Sequence, residues 1–171
     1  YRIVEEIYGK RVADQQIALG LDSLDGELKN QAAADTRLAI DLRGRSPDDG
    51  MTDIAYEKGA AFLRTIEAAV GREHFDPFLR KWFDDHAFQP VTSAQFLAAV
   101  RRDLVAGNAA LEQKLQLNRW VYETGLPTNN DAANAQAISV YEQLGRTYSG
   151  DRRWRIEHVQ VIDPVDIPRL A

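Results

Sequence analysis

The 171 residues contain no cysteine, which excludes a disulfide framework, a thiolate nucleophile and a cysteine-ligated zinc site. Positive charge is not in excess: 21 Lys and Arg stand against 26 Asp and Glu, a net charge of −5. A weakly acidic chain has no electrostatic reason to seek phosphate backbones or anionic lipid, so neither nucleic acid nor a membrane is an expected partner. No apolar run approaches the roughly 20 residues of a membrane span. There is no internal repeat, no low-complexity tract, and neither an initiator Met nor a signal sequence at Tyr1. The expectation is a soluble piece of something longer, with cytoplasm and periplasm both open as compartments. What is present is globular in composition, 44% hydrophobic and 27% charged, and long enough for one domain or parts of two.

Helical spacing dominates the first two thirds. Ile3, Val4 and Ile7 share a face of a short helix that Gly9 stops. Val12, Ile17, Leu21, Leu24 and Leu28 mark a second helix, with a kink or break expected at Gly20. Leu38, Ile40 and Leu42 alternate with Ala39, Asp41 and Arg43, the pattern of a short strand or extended segment. Residues 44–50 hold turn formers without an apolar anchor and read as a loop, after which Thr52 or Asp53 can cap a helix. That helix, 54–70, is the clearest amphipathic one, with Ala55, Phe62, Leu63, Ile66, Ala69 and Val70 at helical spacing and Gly71 as its stop. A further helix over 73–86 carries Phe75, Phe78, Leu79, Trp82 and Phe83, and Thr92 with Gln95 forms a capping box for the next. A short helix is expected over 108–116. Residues 118–130 read as a docking segment anchored by Trp120, Val121 and Tyr122, running into a linker. Beyond it, 133–148 suits a helix and 154–162 a buried strand, and Asp163-Pro164 suits a helix start, together a βα unit.

Few side chains carry a chemical signal of their own. His74 and His86 are twelve residues apart, about 120° around a helix, so they share no face and form no His-Glu-X-X-His pair. Both fit surface or helix-end positions. Asp48, Asp49 and Asp53 crowd one loop, but calcium-loop spacing is missing, and a solvated loop near a helix N-terminus is the expected reading. Arg152, Arg153 and Arg155 are largely offset by Asp151 and Glu157, a poor nucleic-acid signal. Tyr56 lies in the first turn of the 54–70 helix. Most tyrosines at such a place pack with a satisfied hydroxyl. The alternative is a neutral phenol projecting into a cleft, where it can donate to a developing oxyanion. Physical reasoning from sequence leaves both open.

The run Thr52-Asp53-Ile54-Ala55-Tyr56-Glu57-Lys58-Gly59, continued by Ala60-Ala61-Phe62-Leu63, resembles the tyrosine motif of the zinc aminopeptidase family that includes aminopeptidase N, in its leukotriene hydrolase branch. Three further segments agree in order. Residues 2–9 resemble the helix after the family's third zinc ligand, 88–93 the turn before its next helix, and 120–127 the end of its catalytic region. The resemblance, over about residues 1–127, implies a mainly α fold: the helical lobe of a thermolysin-like metallopeptidase domain that removes N-terminal residues from peptides. It implies zinc as the cofactor of the intact enzyme, polarising the scissile carbonyl and delivering a bound water with the help of a glutamate base. It implies transition-state hydrogen bonding by Tyr56 and a part for Asp48 in shaping the substrate pocket. The His-Glu-X-X-His motif, the third ligand and the glycine-rich amine-recognition motif of the family are absent from these residues. No zinc is therefore expected on this chain alone, and the missing N-terminal catalytic portion is its expected partner, with peptide as substrate. Met51 stands where the branch often has a second tyrosine, which counts against epoxide-type chemistry.

Residues 128–171 read as a linker plus a short C-terminal α/β segment. Ala132-Ala133-Asn134 and the run from Trp154 to Pro164, ending Asp166-Ile167-Pro168, resemble part of a metal-dependent amidohydrolase barrel. That resemblance implies a metal-ligand role for His158, at a barrel strand's C-terminal end. The resulting expectation is a zinc aminopeptidase fragment that carries its tyrosine but not its metal and is inactive alone. The alternatives are a non-catalytic helical interaction module and an amidohydrolase fragment.

Overall fold

The computed structural model describes residues 1–127, and those residues are helical, with no strand among them. The expected α/β segment and linker, with His158, lie outside the described residues. Seven α-helices follow in order: α1 (Arg2–Tyr8), α2 (Lys10–Asn30), α3 (Gly59–Val70), α4 (Arg72–Asp85), α5 (Ser93–Val100), α6 (Ala109–Leu115) and α7 (Leu117–Tyr122). No helix among the described residues is long and apolar enough to cross a membrane.

The stops fall where the glycines predict. Gly9 ends α1 and Gly71 ends α3 at φ +84° and +82°, a region costly for any residue with a Cβ, and each returns its N–H to the preceding helix. At α5 the capping box forms as read: Gln95 N–H donates to the Thr92 hydroxyl at 3.2 Å, and Thr92 N–H donates to Gln95 Oε1 at 2.7 Å. Asn108 caps α6 by accepting from the Leu111 N–H.

Three expectations need correcting. The α2 helix runs 21 residues without a break at Gly20. Glycine there does not relax the helix; it clears room for neighbouring side chains, since a Cβ would overlap the Glu57 carboxylate and the Tyr1 hydroxyl. Residues 37–42 form no strand: the backbone bends through 37–39, and no second strand lies beside them among the described residues. Instead Leu38 and Ala39, consecutive rather than alternating, pack on the helical core, and the Ala39 N–H donates to Val121 O at 3.0 Å. The docking segment after residue 117 is helix α7. Trp120 and Val121 are its buried anchors, whereas Tyr122 is exposed.

The core is one cluster shared by α3 to α7. Phe62 stacks on the fully buried Trp120 at 5.7 Å, and Phe96 makes T-shaped contacts with both Phe62 and Trp82. Burial on this scale, with several aromatics each covering large apolar area, is the main favourable term holding the lobe together. Ala13, Ile17 and Leu24 of α2 are buried outside this cluster, as is Ile54 at the root of α3. The segment that opens α3 thus bridges α2 and the aromatic core.

Candidate functional site

Before α3 settles into regular α-helix, Ile54–Lys58 form one wider, π-type turn. Such a turn sets its side chains at unusual angles and recurs at functional positions. Ile54 and Lys58 point inward and are buried; Tyr56, between them, is 60% exposed. The structure therefore resolves the choice left open by sequence to this extent: the ring is not sealed in the core.

Three polar side chains around Tyr56 are fastened elsewhere. Asp53 does not cap the helix with its side chain; its carboxylate accepts from the Ser23 hydroxyl of α2. Glu57 accepts from the Tyr1 hydroxyl at 2.5 Å across the notch at Gly20. Burial, then the hydrogen bond to Glu57 and its charge, push the Tyr1 phenol well above its ordinary range, so it remains a donor. Lys58 donates to Thr36 O at 2.8 Å and to Glu123 O at 3.1 Å. Burial lowers its ammonium to about 8, opposed in part by the charge of Glu123.

The Lys58 contacts belong to a small polar knot. The Thr36 hydroxyl donates to Ala33 O at 2.7 Å and accepts the Gly125 N–H at 2.9 Å. Sequence reasoning passed over Lys58, yet a signal was there. Ile54, Lys58, Phe62 and Ile66 are four residues apart in turn and all buried, so the lysine stands in the core-facing stripe.

Asp48 lies in the turn Pro47–Gly50, where its N–H donates to the Ser46 hydroxyl and its side chain is exposed. Among the described residues no hydrogen bond joins it to Tyr56. Asp49 pairs with Arg45, which also pairs with Asp35 at 2.6 Å, and Met51 is exposed. The acidic loop thus uses one carboxylate in an ion pair and another, Asp53, against α2. His74 is exposed on α4, and His86 at the end of α4 places Nδ1 2.8 Å from Trp82 O, as helix-surface and helix-end histidines. No group of three or more His, Asp or Glu able to hold a metal ion occurs among the described residues, so they do not fit a zinc ion by themselves.

The profile of the peptidase family M1 domain matches residues 1–120. Leucine aminopeptidase 2 of Emericella nidulans is 30% identical over 151 residues, which cover 85% of this chain and 24% of that protein. The leukotriene A-4 hydrolase homolog of Botryotinia fuckeliana is 30% identical over 132 residues, 74% of this chain and 20% of that protein. Among solved structures, yeast LTA4 hydrolase in complex with bestatin superposes with a TM-score of 0.66 at 25% identity, covering 74% of this chain and 21% of the other. Native leukotriene A4 hydrolase from Saccharomyces cerevisiae shares the fold, with a TM-score of 0.67 at 22% identity over 86% of this chain and 25% of the other. The chain spans between a fifth and a quarter of the length of these curated relatives.

Proposed function

The chain belongs to peptidase family M1, and from that premise we propose that it is the helical part of a zinc-dependent aminopeptidase in which the Tyr56 phenol stabilises the transition state of peptide hydrolysis. The zinc ligands and the general base belong to the portion of the enzyme that this chain does not supply, so the chain alone is inactive. Residues 1–127 are the aminopeptidase part, and 128–171 a separate appended segment.

The observation that carries the reading is the exposure of Tyr56 on a turn where the Asp53, Glu57 and Lys58 side chains are each engaged elsewhere. A neutral phenol can donate one strong hydrogen bond and has no charge to desolvate. Aimed at the oxygen of a carbonyl under attack, it gains strength as that oxygen becomes negative, which is the differential binding that lowers a barrier. Asp48, exposed in the loop ahead of the same turn, is proposed to line the pocket for the substrate's N-terminal residue.

The test uses the full-length aminopeptidase polypeptide carrying this segment, assayed on aminoacyl amides with zinc content measured in parallel. Tyr56→Phe is expected to lower kcat by about 10²–10³-fold, the usual cost of losing one oxyanion donor, with zinc content unchanged. Unaltered turnover in that variant removes Tyr56 from the mechanism. In the same assay Asp48→Asn should change the ranking of N-terminal residues by KM, and an unchanged ranking discards its pocket role. DNA upstream of the Tyr1 codon is expected to encode His-Glu-X-X-His in frame; its absence there overturns the enzyme reading in favour of a non-catalytic helical module.

A further inference from the structure

Among the described residues Lys58 has the most deeply buried charged side chain, 0% exposed, and the proposed chemistry assigns it nothing. Its position is unusual in what it joins. Thr36 lies 22 residues before it and Glu123 lies 65 residues after it, yet one ammonium bonds to the carbonyl oxygens of both. The Thr36 carbonyl closes the short turn Ala33–Thr36, and the Glu123 carbonyl follows the last turn of α7; neither is in position for a helical partner. An apolar side chain of the same length would take the donor from both carbonyls, and the Thr36 one lies in a buried setting. Thr36 ties the two segments together a second time through the Gly125 N–H. The floor of the turn that carries Tyr56 is therefore fixed to two distant stretches of chain by the donors of one lysine, and a backbone amide joins those two stretches to each other.

We propose that Lys58 is a positioning residue for Tyr56: by fastening the inward side of the 54–58 turn to the Thr36 and Glu123 carbonyls, it sets the direction in which the phenol, two residues earlier, is presented. The inference rests on the transition-state reading of Tyr56. It explains why a charge is kept in an otherwise apolar stripe between Ile54 and Phe62. A phenol that must meet an oxyanion within hydrogen-bonding distance tolerates little freedom at its backbone, and a displacement of about 1 Å costs up to 100-fold in rate.

The experiment is a double-mutant cycle on the full-length aminopeptidase, with kcat and KM measured separately. Lys58→Met keeps the length of the side chain and removes its donors. It is expected to lower kcat by about 10- to 100-fold with KM changed by less than about threefold. In the Tyr56→Phe background the same change should lower kcat no further, because the group it positions is already gone. Thr36→Val, which removes the acceptor for Gly125 while keeping side-chain shape, loosens the same knot more gently. It should lower kcat by a smaller factor and be silent in the Tyr56→Phe background too, so the proposal stays testable if Lys58→Met fails to fold. Losses that multiply in the double variants, or full kcat in both Lys58→Met and Thr36→Val, overturn the positioning role while leaving Tyr56 in place. Full kcat in Tyr56→Phe overturns the reading beneath it and the positioning role together.

Discussion

An ammonium solvated by two carbonyl oxygens and closed off from water holds its proton less firmly than a free lysine, and Lys58 shows the consequence. Burial lowers it from 10.5 to about 8, and the charge of Glu123 recovers only part of that. The sign of the linked stability follows. Between about pH 8 and 10.5 the unfolded chain binds a proton at this residue that the folded chain does not, so stability contributed by Lys58 rises with pH across that window. Below pH 8 both states are protonated and the contribution is flat. Urea titrations at pH 7, 8, 9 and 10 should show the stability difference between wild type and Lys58→Met growing by up to about 3 kcal/mol in favour of wild type. A difference that stays constant across the window would show an ordinary lysine. The subtraction matters because other groups titrate in this range and are common to both proteins. At this scale the sequence displayed the lysine in the buried stripe, but its carbonyl partners belong to segments that no local pattern connects to it.

Helices and their ends were largely readable, because capping and stop chemistry is local. Thr92 and Gln95, Gly9 and Gly71 all act within one turn of their own positions. Gly20 shows where that logic stops. Local chemistry treats a mid-helix glycine as a weak point. Here it is a notch that lets Tyr1 reach Glu57, 56 residues later. The two glycines inside α2 therefore respond oppositely to alanine. Gly26 has open space around a would-be Cβ, and Gly26→Ala should stabilise by about 0.5–1 kcal/mol through helix propensity. Gly20→Ala should lose that gain and destabilise by up to about 1 kcal/mol, because the free ends of Glu57 and Tyr1 must swing away from the new Cβ and give up their hydrogen bond. Thermal or urea unfolding of the two variants decides it, and a stabilising Gly20→Ala would mean that the notch is not needed. Helix α7 escaped the pattern for a related reason: six residues are too few for a periodic signal, and Trp120 declares its burial only by its size.

For the molecule as a whole, the described residues form one helical lobe that carries an exposed tyrosine, and no group of three or more residues able to hold a metal occurs among them. The chain belongs to peptidase family M1 and spans between a fifth and a quarter of the length of these relatives. The expected outcome for the purified 171-residue chain is no stoichiometric zinc by elemental analysis and no hydrolysis of aminoacyl amides. His158→Ala should leave its metal content unchanged, since one histidine cannot hold an ion alone. Stoichiometric metal that disappears in that variant would give the C-terminal segment a site of its own and favour the amidohydrolase resemblance there.

The amino-acid order by itself determined the mainly helical class, most helix ends, and the tyrosine motif at the start of α3, because each depends on chemistry within a few residues. Tertiary structure alone decided that the Tyr56 ring is exposed, that Gly20 is a notch rather than a break, and that a segment with strand-like alternation bends and packs on helices. It alone also joined Lys58 to carbonyls 22 and 65 residues away. The reason is physical: periodicity reports which face of an element is buried, whereas the partner that satisfies a buried donor is chosen only when distant segments meet.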